Sequence, residues 1–385
     1  MTAKQFTIER VGKRSTDSIL LLLIIVIIGV GAAVLFSASY YYGGKKFDDP
    51  YHFLSRQFLF IALGGVCAAV AANVPRSSLY RHIPYLLLLT VVLMMGTFVP
   101  GIGQAIMGAK RWIIIGGFSF QPSELAKLSL ILYLSSILAK KRNRLDDVVN
   151  SLVPPLIILG LFATLIYLQN DFSTAFFVIL IGLLLFFIAG VPLRYFIFLF
   201  FTVVPLAGIL IFTQEHRVLR VMTFLNPGRD PSGTGYQVLA ARSALQNGDF
   251  WGTGFGMGTE KLGGLPEAHS DFIFAVFAEE AGFIGVVLVL GGFVAFAVRG
   301  YAIALQHEED RFGFLLAFGI TSCILFQALV NMAVVSGLLP ATGLPLPFFS
   351  HGGSSMVIVM IMCGLLLNLS RGNNESGRYW GMSYE

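Results

Sequence analysis

An all-α, polytopic membrane protein is the fold class this sequence predicts, on three observations. Only 12% of its 385 residues are charged and 56% are hydrophobic, whereas soluble domains carry about 25% charged residues. Apolar runs of about 18 residues or more recur from end to end, each long enough to cross roughly 30 Å of hydrocarbon. The alternating-polarity segments of about ten residues that mark a membrane β-barrel are absent. Phe, at 35 copies, suits lipid-facing surfaces, and Gly, at 42, suits close helix packing and non-helical loops. Cys67, Cys323 and Cys363 sit inside apolar runs with no CxxC spacing, so they imply neither a disulfide framework nor a zinc site.

Ten spans are expected, at residues 18–37, 56–72, 83–99, 124–138, 148–168, 172–189, 193–212, 271–298, 312–335 and 353–369. The first follows a basic tail (1–17) and lacks a small-residue cleavage site, so it reads as a retained span. With that tail inside, the cytoplasmic segments hold Lys4, Arg10, Lys13, Arg14, Arg76, Arg81, Lys140, Lys141, Arg142, Arg144, Arg194, Arg299, Arg311, Arg371 and Arg378. The outer loops hold far fewer, and Lys45 and Lys46 there are offset by Asp48 and Asp49. The positive-inside rule then places both termini, including the 371–385 tail, in the cytoplasm. The net charge of +5 reports this topology rather than nucleic-acid binding. The expected organisation is one integral-membrane domain over 1–385, with a large outer loop (213–270) between spans 7 and 8. A second outer segment, 100–124, reads as an interfacial hairpin or re-entrant turn from its Gly and aromatic content. No internal repeat is visible, which weighs against a transporter fold built from paired halves.

Ionisable residues in or at the edge of a membrane default to functional hypotheses. Asp271 stands at the threshold of span 8, where it reads either as a helix N-cap or as a general base or substrate-positioning group. His269, two residues earlier, could hydrogen-bond to it. Glu279 and Glu280, over two turns further on, call for an Arg or Lys from another span. Glu124 and Lys127 are spaced i, i+3 and share a helix face, as an internal ion pair or as part of a polar cavity. Arg217 and Arg220, with Arg229 and Arg242 beyond, form an outward basic cluster that wants an anion. A diphosphate suits paired guanidinium hydrogen bonds, and anionic headgroups are the alternative. Lys110 and Arg111, beside Trp112, resemble an interfacial anchor. The segment 336–355 combines three prolines and four glycines, and its ending includes Gly352, Gly353 and Ser354. Backbone this irregular at membrane depth has to line a cavity or be buried in protein. Gln327 and Asn331, i and i+4 in the preceding span, offer it polar groups. No P-loop, GxGxxG, HExxH or GxSxG motif occurs, which leaves nucleotide chemistry without a site.

The stretches LFSASYYY, DPYHFLSRQ, GAKRWIIIGGFSFQPSELAKL, FLNPGRDPSGTGYQ, ALQNGDFWGTGFGMG, LPEAHSDFIFAVFAEEAG and LLPATGLPLPFFSHGGSS together resemble the FtsW/RodA family of bacterial shape, elongation, division and sporulation proteins. They occur in family order over most of the chain. Ala268 and the TGLPLPFFSHGGSS ending are more similar to the division branch than to the elongation branch. The resemblance implies ten spans with a large fourth outer loop. It also implies polymerisation of peptidoglycan glycan strands from lipid II, an undecaprenyl-diphosphate-linked disaccharide pentapeptide, on the outer face of the bacterial cytoplasmic (inner) membrane at the septum. By motif, the essential acid maps to Asp271, and Glu124, Lys127, Arg217, Arg220 and the Gly352–Gly353 turn are motif positions. The implied partners are a class B penicillin-binding protein transpeptidase and other division membrane proteins. One stretch departs: the family's Pro-Asp-x-Gly pattern reads Asn170, Asp171, Phe172, Ser173 here, so the turn there is expected to differ.

The implied chemistry is an inverting displacement at an anomeric carbon, with Asp271 as base and Arg217 and Arg220 at the departing diphosphate, helped by Lys110 or Arg111. Glu124 and Lys127 would shape the cavity. Mg²⁺ or Mn²⁺ near the diphosphate is compatible with carboxylate and water ligands, although no dedicated cage is legible. Two rivals stay open: a lipid II flippase, and a non-catalytic division scaffold.

Overall fold

The computed structural model describes residues 16–372 apart from 107, 116–117, 145, 230–233 and 267, so most of the two expected terminal tails lies outside the described residues. Three helices come first: α1 (Ser18–Phe47), α2 (His52–Asn73) and α3 (Arg76–Gly96). Strands β1 (Gly103–Ile106), β2 (Ala109–Ile115) and β3 (Phe118–Phe120) follow, then α4 (Pro122–Lys140), α5 (Val153–Leu168), α6 (Phe172–Ala189) and α7 (Leu193–Phe212). The long loop carries α8 (Glu215–Leu225) and α9 (Thr234–Gly248), and α10 (Ile273–Leu305), α11 (Arg311–Val335) and α12 (Gly353–Ser370) complete the chain. Among the described residues ten helices, all but α8 and α9, are long and apolar enough to cross a membrane, as the hydropathy pattern predicts.

Element ends differ from expectation where no breaker stops a helix. The first helix runs past residue 37 to Phe47, because no proline or acidic residue intervenes before Asp48, which takes a left-handed conformation (φ 55°). The 100–124 segment forms a three-stranded antiparallel meander in the order β1-β2-β3, with Gln104 opposite Trp112 and Ile113 opposite Phe120. Its central strand is the β-branched run at Ile113 and Ile114, residues that favour a pleated surface.

Helices α4, α11 and α12 are the most buried, with α2 along α12, α3 against α4, and α6 against α4 and α11. The seventh helix, α7, has no buried residue among those described; it meets α8 and sets Phe196 edge-on to Phe187 of α6. A helix apolar on every side suits contact with lipid. The two described chain ends meet on one face, where Arg371 Nε donates to Thr16 Oγ1 (2.9 Å) and Arg299 Nη2 to Asp17 Oδ2 (2.5 Å). The opposite face carries the sheet, the loop helices and the 336–352 segment.

The expected span 271–298 is not one straight crossing. Helix α10 breaks at Gly282 (φ 64°, ψ −169°). Its first arm reaches from Asp271, whose carbonyl Asn331 holds, to Glu280, which Ser37 holds. At 1.5 Å per residue, Ser37 lies about 28 Å along α1 and Asn331 about 30 Å along α11 from the terminal face. Both ends of the arm therefore sit at similar depth, and the arm lies across the loop end of the bundle. The crossing itself begins after Gly282.

A Cβ on Gly282 would fall 2.2 Å from the Gly252 nitrogen, in a backbone region closed to L side chains. Gly282→Ala is therefore expected to destabilise the protein by about 1–3 kcal/mol from strain alone. Thermal unfolding in detergent, with faster proteolysis of the 249–262 loop, is the measurement. An unchanged melting temperature would contradict it.

Candidate active site

A cavity of about 880 Å³ opens at the loop end of the bundle. Its polar wall includes Arg111 from β2, Asp171 at the start of α6, Arg217 and Arg220 from α8, and Asp271. Its apolar wall includes Phe176 and Leu180 from α6 and Ile211 from α7. Four residues expected on sequence grounds thus converge here from three separate elements.

Asp271 is not the N-cap of α10; that position is Phe272, and no side chain caps the helix. Nor does His269 contact the carboxylate. Ser270 Oγ donates to Asp271 Oδ1 at 3.1 Å instead. His269 turns into an aromatic cluster, 4.9 Å from the Tyr42 ring and 4.6 Å from Phe53, while its carbonyl accepts from the His351 backbone N–H (3.0 Å). Burial pushes His269 and His351 down to about 4, so both rings are neutral at ordinary pH. The other Asp271 oxygen faces Gly343, where a Cβ would come within 3.3 Å of it; with φ 77° there, glycine both permits the turn and leaves the carboxylate its room. Burial raises the Asp271 pKa, opposed by the Arg111 charge, the Ser270 hydrogen bond and the Arg220 charge. A carboxylate held this way is a stronger base than an exposed one.

The backbone around Asp271 is held by the two polar residues of α11. Asn331 Nδ2 donates to the carbonyls of Asp271 and Leu344 at 2.8 Å each, and Gln327 Nε2 donates to the Pro345 carbonyl at 2.9 Å. Ser350 Oγ donates to the Ser270 carbonyl at 2.8 Å. The irregular 336–352 segment is thus satisfied from inside the protein, as backbone at membrane depth requires. Beneath it, Lys127 Nζ lies 2.9 Å from Glu124 Oε2 and 2.6 Å from Gln327 Oε1. Glu124 and Lys127, at 2% and 3% exposure, are therefore an internal ion pair supporting the floor, and neither lines the cavity.

The three guanidinium groups differ. Arg217 is buried, donates to Tyr167 Oη (3.0 Å) and the Leu210 carbonyl (2.9 Å), and stacks on Tyr167 and Phe172. Arg111 Nη1 pairs with Asp171 Oδ2 at 3.1 Å. Arg220 reaches the Ala341 carbonyl only at 3.5 Å, too long for a strong bond, and presents its guanidinium to the cavity. Of the other expected contributors, Lys110 is exposed and does not line the cavity. Neither do Gly352, Gly353 and Ser354. Gly352 precedes α12, a Cβ on Gly353 would strike the Phe60 ring, and Ser354 Oγ accepts from the Gln121 N–H (3.0 Å) and donates to the Ser119 carbonyl. These three seat α12 against α2 and β3. The Arg229 side chain lies outside the described residues.

Asp171 is the site residue that sequence reasoning undervalued. It takes Arg111, Gln121 Nε2 (3.4 Å) and the Thr174 N–H (3.1 Å), which makes it the cap of α6 as well as the anchor of Arg111. Its signal was the same as that of Asp271, a carboxylate at the mouth of a span. The turn before it is one that proline could not make: Asn170 sits at φ 64°, and Asn170 Nδ2 donates to the Gly108 carbonyl at 3.2 Å. Ser173 lies within α6, in the cavity wall.

The comparisons with known proteins agree with this architecture. A family model described as cell cycle protein, covering FtsW, RodA and SpoVE, matches residues 17–375. The chain is 41% identical over 326 residues to a probable peptidoglycan glycosyltransferase FtsW from Geobacter sp. (strain M18), covering 85% of this chain and 89% of that protein. It is 40% identical over 319 residues to the Borreliella burgdorferi protein of the same description, covering 83% and 86%. Among solved structures, a chain from a study of how a peptidoglycan synthase complex coordinates polymerisation and crosslinking superposes with TM-score 0.76 at 29% identity, covering 92% of this chain and 98% of that one. The rod shape determining protein RodA of Thermus thermophilus superposes with TM-score 0.68 at 28% identity, covering 92% and 97%. With a family model spanning nearly its whole length and relatives at about two-fifths identity, this chain belongs to the FtsW/RodA/SpoVE family of multi-pass membrane proteins.

Proposed function

We infer that the chain is a peptidoglycan glycosyltransferase that polymerises lipid II during septal wall synthesis in cell division. The observation that carries the site assignment is the cavity in which a half-buried carboxylate, Asp271, shares a wall with Arg220 and Arg111 beside an apolar flank of Phe176, Leu180 and Ile211. Acid and cations suit a hydroxyl and a diphosphate, and the apolar flank suits a polyprenyl chain. In the reaction, the acceptor sugar hydroxyl oxygen forms a bond to the donor's anomeric carbon as the bond from that carbon to the diphosphate oxygen breaks. Asp271 takes the hydroxyl proton, and the departing diphosphate carries its charge toward Arg220 and Arg111. Arg217, already bonded to Tyr167 and Leu210, holds α8 in place beside them. Asp171 keeps Arg111 aimed inward.

A dedicated cation cage does not fit these residues. Among the described residues no three His, Cys, Asp or Glu side chains are placed to hold a metal ion together, and Asp171 is occupied by Arg111. Mg²⁺ held mainly by substrate phosphates and water needs only one or two carboxylates, and of the two in the cavity wall Asp271 is the one not in a salt bridge among the described residues.

The positive-inside distribution supports placing the terminal face in the cytoplasm and the cavity on the outer side of the inner membrane. A class B penicillin-binding protein is the proposed partner, in line with the peptidoglycan synthase complex that supplies one structural relative. Below the Glu124–Lys127 pair α4 and α11 bury no further charge, only the hydroxyls of Ser129, Ser135, Thr321 and Ser322 among close-packed apolar side chains, with Ile131 and Leu185 against Gly319. That packing supports polymerisation over a polar path for flipping.

The test is to reconstitute the protein with its partner and supply lipid II from the outer face, with and without EDTA. Glycan polymer is expected. Movement of labelled lipid II between leaflets with no polymer formed would overturn the reading in favour of transport.

A further inference from the structure

The first arm of α10 is held at both ends, and the end remote from the cavity contains a buried charge cluster that the reaction does not use. Glu280 Oε1 lies 2.5 Å from Lys261 Nζ, and Ser37 Oγ of α1 bonds both Glu280 (2.6 Å) and Lys261 (2.7 Å). The side chains of Lys261 and Glu280 are 6% and 3% exposed. Glu280 thus finds its cation in the long loop rather than in another span. Glu279, beside it and fully buried, forms no salt bridge among the described residues. It accepts from the Thr259 N–H and hydroxyl (3.0 Å each), Asn247 Nδ2 and the Glu260 N–H (3.3 Å each).

The backbone is pinned at the same place. Where α10 breaks, its freed carbonyls at Glu279 and Glu280 accept from Thr253 and Gly254, and its freed N–H groups at Phe283 and Ile284 donate to Asp249 and Phe250. Two carbonyls and two N–H groups at the break are thus satisfied by the 249–254 loop. At the other end, Asn331 and Ser350 hold Asp271 and Ser270.

The Lys261–Glu280 pair therefore closes a ring of chain that contains the 263–270 loop, Asp271 and the rigid arm. Seven residues of helical rise, about 10 Å, separate Ile273 at the start of α10 from Glu280, and Asp271 stands two residues before that start. A helix of this length transmits a displacement at one end to the other, and a catalytic group tolerates only about 0.5 Å of error.

We propose that Lys261, Glu280 and Ser37 are positioning residues for Asp271, clamping the first arm of α10 between α1 and the long loop so that the carboxylate is held against the cavity. None of the three lines the cavity. The clamp makes the rate of the reaction depend on how the long loop and α1 sit relative to each other. This inference rests on the glycosyltransferase reading above.

The experiment measures initial polymerisation rate against lipid II concentration and pH for the purified protein with its partner, normalised to folded protein. Four variants are compared: Glu280→Gln, Lys261→Met, Ser37→Ala and the double variant Lys261→Met with Glu280→Leu. Glu280→Gln and Lys261→Met are expected to lower the maximal rate about 10- to 100-fold with half-saturating lipid II within about two-fold, because misplacing a catalytic group costs on this scale. The double variant removes both buried charges, so its melting temperature should recover toward wild type while its rate stays low. Ser37→Ala leaves the ion pair in place and folds most safely; a drop of about two- to five-fold, with a displaced acid limb in the pH profile, is expected. Combining Glu280→Gln with Asp271→Asn should slow the reaction no further than Asp271→Asn alone. Wild-type rates per folded molecule and wild-type pH profiles in Ser37→Ala and the double variant would overturn the proposal. Absence of polymer from the wild-type protein itself would instead refute the glycosyltransferase reading.

Discussion

Asp271→Asn is expected to cut lipid II polymerisation by about 10²- to 10⁴-fold, the range that positioned general bases supply. Asparagine keeps the shape and can still accept from Ser270, but it cannot take the hydroxyl proton. Stability should not fall with activity. Burial raises the Asp271 pKa above its ordinary 3.8. A carboxylate whose folded pKa is raised is one the fold prefers neutral, so its ionisation opposes folding at pH above the unfolded value. The neutral variant is therefore expected to melt at or above the wild-type temperature. The same sign governs the pH profile: the base form is required, so the rate should rise with pH through an acid limb lying above 3.8. His269 and His351, pushed down to about 4, are neutral through the physiological range and contribute no step near the usual histidine value. A rate in Asp271→Asn within a few-fold of wild type, at full melting temperature, would remove Asp271 from the chemistry.

Lys127→Met carries the largest expected effect on stability. It removes the cation from a pair 2–3% exposed and leaves the Glu124 carboxylate buried without compensation. Breaking one partner of a buried pair costs about 3–5 kcal/mol. The lost bond to Gln327 also loosens the residue that holds the Pro345 carbonyl under the cavity. Lys127→Met combined with Glu124→Leu should recover most of the stability, since an apolar pair of similar volume is often neutral or better. It should not recover full activity, because Gln327 still lacks its partner. Thermal unfolding in detergent reads the first effect and polymer yield the second. A single variant as stable as wild type would show that Glu124 is solvated or protonated in the native protein.

Much of this protein was legible from residue order alone, and the parts that were not share a cause. Asp271, Arg111, Arg217 and Arg220 were identifiable because each is an ionisable side chain at the edge of a span, where its cost demands a purpose. Gln327 and Asn331 were identifiable by helical spacing as a polar face beneath an irregular segment. Their partners were not. His269 is two residues from Asp271 yet stacks on Tyr42 and Phe53, while Ser270 makes the hydrogen bond. Glu280 was expected to pair with another span, and its cation came from the loop. Glu279 was expected to need a cation and is satisfied by loop hydrogen-bond donors instead. Lys110 and Arg111 are neighbours, but only Arg111 lines the cavity, because successive side chains of a strand point to opposite faces.

The number of helices long and apolar enough to cross a membrane, ten among the described residues, followed from sequence, because transfer into a bilayer depends on about 20 consecutive residues and is a local property. The bend of α10 at Gly282, the sheet at 100–124, the Arg111–Asp171 pair and the Lys261–Glu280–Ser37 clamp were decided only by tertiary structure. Each depends on which surfaces meet across tens to hundreds of residues, and a buried charge takes whichever partner the packing brings within about 3 Å.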